Sequence, residues 1–107
     1  MVQICSTGAI IHNGGTIGLI NYHNNILTKI EIDKKYHGNG YGTDTIKTFI
    51  NDCKIEGYDE CYIIAVSNIK IVNIIQNFTY EIVNSESIPS SHDMLKSQHP
   101  HYKIIIE

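Results

Sequence analysis

The segment Ile30–Thr43, IEIDKKYHGNGYGT, gathers the residues of this chain best suited to hold an anion. Glycines at 38, 40 and 42 follow a strand-like apolar run and precede a helix-like one. Alternate glycines before a helix start let consecutive backbone N–H groups converge on one point. The positive end of the helix dipole adds to that concavity, making a site for a phosphate or pyrophosphate. His37 stands at the entrance of the loop, Asn39 and Tyr41 lie between its glycines, and Thr43 closes it.

Those residues need a frame. Ala9–His12 and Thr16–Tyr22 are strand-like runs separated by Asn13-Gly14-Gly15, a hairpin signal because both turn residues tolerate positive φ. His23-Asn24-Asn25 makes a second turn into a third strand, residues 26–33. From Thr43 to Lys54 the period changes: Ile46, Phe49, Ile50 and Cys53 fall on one helical face. Gly57 ends that helix, and CYIIAV within residues 60–66 reads as a strand buried on both faces. A right-handed crossover then makes strands 26–33 and 60–66 parallel. Ser67 or Asn68 caps a second helix, residues 69–78, whose isoleucines predict deep burial. A strand at 79–83, a polar loop at 84–100 and a closing strand at 102–106 complete the chain.

The fold expected is α/β, a mixed sheet in the order β-β-β-α-β-α-β-β, in one domain spanning residues 1–107. A formal charge of −3, with all eight cations lysine, argues against nucleic-acid binding, which uses a basic face. Without arginine, a bound phosphate must rely on backbone N–H groups, lysine or histidine. No apolar run reaches the ~20 residues of a membrane span. The N-terminus has no basic region ahead of its apolar residues, so a cytoplasmic setting is expected. Cys5, Cys53 and Cys61 form no paired motif and are expected as reduced thiols. His92, His99 and His101 are expected to be solvated loop residues, and no metal site is expected.

The glycine loop resembles the acyl-CoA loop of the GNAT acyltransferase superfamily, whose signature is Arg or Gln, two residues, Gly, one residue, then Gly or Ala. His37-Gly38-Asn39-Gly40-Tyr41-Gly42 supplies the glycines in register, with His37 in the Arg/Gln place. The order of elements over residues 9–107 is similar to the family's from its second strand onward, with a reduced N-terminal region. The resemblance implies that Ile30 and Ile32 present a strand edge to the pantetheine arm of acetyl-CoA. It also implies that residues 37–43 hold the pyrophosphate and that Asn68 faces the pantetheine. The cosubstrate implied is acetyl-CoA and the acceptor an amine.

The match has gaps. Ile75 occupies the place of the tyrosine that protonates the departing thiolate in many members, and Thr28 and Ile26 occupy places where others carry a base. Tyr22, His23 and Ser67 are the remaining catalytic candidates. With the acceptor wall reduced, a homodimer partner or residues 84–100 would complete it. The expectation is an N-acetyltransferase acting by direct attack. The alternatives are a degenerate acyl-CoA-binding protein, or an α/β interaction module whose glycines only turn the chain.

Overall fold

The computed structural model describes residues 2–90 and 92–107. A seven-stranded sheet carries β1 (Gln3–Ile4), β2 (Ala9–His12), β3 (Gly15–His23), β4 (Ile26–Ile32), β5 (Glu60–Ile63), β6 (Tyr80–Val83) and β7 (His101–Ile105). The spatial order is β1-β2-β3-β4-β5-β7-β6, and the β4–β5 pair alone is parallel. Helix α1 (Tyr41–Ile55) makes the crossover from β4 to β5, and α2 (Ile69–Ile75) follows β5. The expected mixed α/β order is therefore present, extended by the two-residue β1.

Both helices pack on one face of the sheet. Ile46, Phe49 and Cys53 of α1 and Ile75 of α2 join Ile10, Ile17, Ile20, Leu27, Ile63 and Ile104 in the main core. Of the helix face read from residues 46, 49, 50 and 53, Ile46, Phe49 and Cys53 are buried and Ile50 is half-buried against the same core. Helix α2 is shorter and less buried than its composition predicts: only Ile75 is buried, and Ile69 is 67 % exposed. Isoleucine content measures apolarity, whereas burial depends on which side of a two-turn helix meets the sheet.

The opposite face is covered where β4, β5 and β7 meet. There Ile26, Tyr62 and Ile64 pack against Ile88 and Leu95. Residues 84–100 are consequently not a wholly solvated loop. Ile88, just after the 3₁₀ turn Ser85–Ser87, and Met94 and Leu95, within the 3₁₀ turn Asp93–Lys96, pack onto the sheet. His101 is a second correction: it is 5 % exposed and bonded through both ring nitrogens, while His92 and His99 are exposed. Cys53 and Cys61 are buried free thiols and Cys5 is exposed. The hydrogen bond between the two buried thiols lowers Cys53 and, with burial, raises Cys61. Among the described residues no helix is long and apolar enough to cross a membrane.

One irregularity decides which groups β4 presents on each of its edges. Register between β3 and β4 shifts between Asn21 and Tyr22: Tyr22 faces Leu27, whereas Asn21 faces Lys29, so Thr28 is an extra residue. Its Oγ1 donates to Asn21 O at 3.1 Å, tying the bulge down. A bulge inverts the alternation beyond it. Before it, Asn25 O and Leu27 O accept from Tyr62 and Ile64 N–H, so odd residues face β5. After it, Asp33 N–H donates to Ile17 O, so odd residues face β3. The Ile30 and Ile32 amides are thereby turned to the β5 side. The same inversion keeps Leu27, Ile30 and Ile32 all against the main core although 27 and 30 differ in parity.

Candidate functional site

Strands β4 and β5 pair only at Ile26 with Tyr62 and Leu27 with Ile63, closed by the Ile64 N–H to Leu27 O bond of 3.0 Å. Beyond that point they part. Residues 28–32 of β4 have β3 on one side and no strand on the other, among the described residues. A cleft of about 690 Å³ occupies that side. The end of β4 forms one wall and α2 the other, and the turn into α1 forms the outer end. Parallel strands parting at their C-terminal ends are a recurrent place for ligands in α/β sheets.

The turn is built without bulky groups in its path. Gly38 and Gly40 have φ of +83° and +78°, the left-handed region that glycine enters freely. Asn39 Nδ2 donates to Tyr36 O at 3.1 Å and bridges the turn. Gly40 is the N-cap of α1, and no side chain caps the helix. The first intrahelical bond is Asp44 N–H to Gly40 O, leaving the Tyr41, Gly42 and Thr43 N–H groups without helical partners. These three amides stand at the positive end of the helix, a geometry able to accept an anion. A Cβ at Gly42 would lie 3.3 Å from Ile74 Cδ1, so a bare backbone there lets α1 approach α2.

Ile30, Ile32, His37, Gly40, Gly42, Thr43 and Asn68 all line the cleft. Gly38 and Asn39 shape the turn outside its lining, and Tyr41 turns away, its ring 4.7 Å from that of His12 and 6.2 Å from that of Tyr36. His37 Nε2–H donates to Ile32 O at 2.7 Å. That bond folds the ring back over the strand end and occupies the Ile32 carbonyl, leaving the Ile32 N–H directed to the cleft. Asn68 Oδ1 accepts from Lys70 N–H at 2.9 Å and so caps α2.

Of the three catalytic candidates, Tyr22 and His23 lie away from the cleft and Ser67 lies at its edge. Tyr22 pairs with Leu27, and an antiparallel hairpin sets the end of β3 beside the start of β4. Three residues separate Leu27 from Ile30, the nearest residue of β4 in the lining, about 10 Å along a strand. The Tyr22 ring packs edge-on against Phe49 at 5.1 Å, and burial, then Asp52, push its hydroxyl above the usual tyrosine range. His23 is exposed at that same far end. Ser67 is exposed between β5 and α2, one residue short of the cleft lining.

Spacing alone missed Lys34 and Lys70, which stand on opposite walls and supply the cleft's cations. It also missed Ile71 and Ile74, which give α2 an apolar face toward β4. Their three-residue separation is the only signal that could have found them. Glu31 and Asp33 line the rim, with Glu31 held 3.6 Å from Lys29 Nζ.

No protein-family profile matches the chain, and no curated protein is similar to it. Solved structures are. A GNAT-family acetyltransferase from Staphylococcus aureus Mu50 is 22 % identical and superposes with a TM-score of 0.68 over 92 % of this chain and 66 % of its own. Diaminobutyrate acetyltransferase from Paenibacillus lautus, solved with L-2,4-diaminobutyric acid and coenzyme A, scores 0.63 at 12 % identity, with 92 % and 68 % covered. N-acetylglutamate synthase from Neisseria gonorrhoeae, complexed with coenzyme A and N-acetyl-glutamate, scores 0.70 at 8 % identity, with 92 % and 25 % covered. The chain thus spans about two thirds of the first two proteins and a quarter of the third. Its mixed sheet and two helices have the GNAT fold.

Proposed function

We propose that this GNAT-fold chain is an acyl-CoA-dependent N-acyltransferase that binds acetyl-CoA between β4 and α2 and passes its acetyl group to an amine. The observation carrying this reading is the open edge of β4. Its Ile30 and Ile32 amides face a cleft without a strand partner and lead to the uncapped start of α1. A pantetheine arm is a string of amides and methylenes. It suits an added half-strand over a floor of Ile30, Ile32, Ile71 and Ile74. Residues 37–43 then meet the pyrophosphate with backbone N–H groups, and Lys34 and Lys70 replace the arginine the chain lacks.

In this reaction the amine nitrogen attacks the thioester carbonyl, and the sulfur departs and takes up a proton. Backbone N–H groups of β4 beside the cleft are placed to favour the developing oxyanion. The amine sheds one proton and the departing thiolate gains one. Ile75 is fully buried and carries no acid, so water relays the proton to the sulfur, and the amine attacks in its deprotonated form or passes its proton to water. A net charge of −3 accords with a cationic acceptor. A cytoplasmic setting, and an acceptor wall completed by residues 84–100 or by a second copy, belong to the same proposal.

The buried Ile75 also favours a second reading, an acyl-CoA-binding protein without efficient transfer. Calorimetric titration with acetyl-CoA tests both. Gly40→Val is the loop variant, since its Cβ meets no heavy atom within 4 Å and the change strains the left-handed turn at the mouth of the cleft. Saturable binding lost in that variant, with coenzyme A released on adding primary amines, supports the enzyme. Binding without release over a broad amine panel supports the binding protein. Absence of binding by the folded chain overturns both.

A further inference from the structure

We propose that His101 is a positioning residue for the acyl-CoA cleft, acting by holding Ala65 in the backbone conformation at which β5 turns away from β4. This rests on the acyl-CoA reading of that cleft. Ala65 has φ of +53°, a left-handed conformation that costs an L-residue free energy. The other non-glycine residues with positive φ among those described are Asn13 and Asn24, a type that tolerates it in turns. Alanine has no side-chain group to hold itself there. A strained residue that persists is held by its surroundings, and such residues gather at functional sites.

The surroundings here are β7 and the residue before it. Ala65 N–H donates to His101 Nδ1 at 2.8 Å, and Val66 N–H donates to Pro100 O at 3.0 Å. The His101 ring is buried, and its Nε2 lies 3.2 Å from Leu95 O. With Nδ1 accepting, Nε2 must carry the proton and donate, which assigns the tautomer. One ring therefore ties the end of β5 to the 3₁₀ turn over the second face of the sheet.

Position gives that tie its consequence. Ala65 comes one residue after Ile64, whose N–H makes the last bond to β4, and three before Asn68, where the cleft lining resumes. The left-handed step sets the path of residues 66–68 and hence where α2, the second wall, stands against Ile30 and Ile32. Tyr102, next to His101, is still paired with Ile63, so the ring sits where the β5–β7 ladder ends.

Asparagine and glutamine separate the two ring contacts. His101→Asn keeps an acceptor near the Nδ1 place, and His101→Gln keeps a donor near the Nε2 place. Each is titrated with acetyl-CoA by calorimetry, and the exchange rate of the Ala65 amide is read by NMR. His101→Gln is expected to speed that exchange and to weaken binding roughly 5- to 30-fold, the population cost of a left-handed alanine. His101→Asn should bind as the wild type does. Adding Ala65→Gly to His101→Gln should restore affinity, because glycine enters the left-handed region freely. A merely structural role for His101 would not be rescued by that glycine. Unchanged affinity in His101→Gln, or a loss that Ala65→Gly leaves in place, overturns the proposal while the acyl-CoA reading stands. A wild-type chain that does not bind acetyl-CoA ends both before any variant is compared.

Discussion

Replacing Gly18 with alanine puts a methyl group where β3 and β4 leave no room for one. A Cβ built on Gly18 lies 2.1 Å from Glu31 O and 2.9 Å from the Ile32 Cα, against an ordinary contact of 3.4–4 Å. Both neighbours are backbone, so no side chain can swing aside. The strands must part by about 1.3 Å, the difference between 3.4 and 2.1 Å. The adjacent Asp33 N–H to Ile17 O bond of 2.8 Å cannot survive that separation. Overpacking of this kind costs about 1–3 kcal/mol and a lost backbone hydrogen bond about 1 more. For a domain of this size the melting temperature should fall by roughly 10–20 °C. The strand that moves carries the cleft-facing Ile30 and Ile32 amides, so acetyl-CoA affinity should fall by about tenfold or more. Differential scanning calorimetry and isothermal titration read the two effects. Gly15→Ala is the control, since its Cβ would lie an ordinary 3.8 Å from His12 O. A Gly18→Ala protein that melts with the wild type would refute the close approach. One that melts early yet binds acetyl-CoA unchanged would refute β4 as the binding edge.

Other perturbations have equally definite outcomes. Phe49→Ala empties a fully buried site against Tyr22 and should cost about 3–5 kcal/mol in denaturant unfolding, whereas Ile69→Ser, on the exposed side of α2, should stay within about 0.5 kcal/mol. Asn68→Ala removes the cap on Lys70 N–H and should cost about 1 kcal/mol, with a loss of acetyl-CoA affinity as α2 frays beside the cleft. Burial, then its hydrogen bond to Glu60, pushes the Tyr62 hydroxyl up to about 12. Because the folded value lies above the ordinary 10, the stabilisation is full below pH 10 and is lost as pH rises toward 12. Tyrosinate absorbance should show late-titrating hydroxyls, and Tyr62→Phe should remove one of them while that of Tyr22 remains.

Where local chemistry dictates local structure, the chain can be read directly. Asn13-Gly14 predicts a hairpin turn and takes φ of +50° and +79°. The switch from period two to the 46, 49, 50, 53 spacing marks α1, and of the run CYIIAV all but Ala65 is buried. The features that escape such a reading depend on contacts remote in sequence. Ile88, Met94 and Leu95 sit in a polar stretch without any period, so nothing local shows that they cover β4 and β5. His101 looks like its exposed neighbours His92 and His99 until β7 is set beside Ala65. Tyr22 and His23 are candidates by sequence because they end a strand next to β4, but adjacency in a sheet leaves open which end of the neighbour a residue meets.

Two small departures from regular structure create the candidate site. Without the extra Thr28, strand alternation carried forward from Leu27 would aim the Lys29 and Glu31 amides at β5 and drive their charged side chains into the core. With it, isoleucine side chains fill the core while isoleucine amides face the cleft. Without the left-handed step at Ala65, β5 would continue beside β4 and its ladder would consume those same amides. One irregularity therefore selects which backbone groups face the opening, and the other keeps the opening clear. Each is secured by a side chain from its own side of the cleft, Thr28 onto Asn21 O and His101 onto Ala65 N–H. Deleting Thr28 should therefore cost both stability and acyl-CoA binding, because it buries charge, whereas a variant that straightens β5 at Ala65 should gain sheet pairing and lose binding, the two read by thermal melting and acetyl-CoA titration.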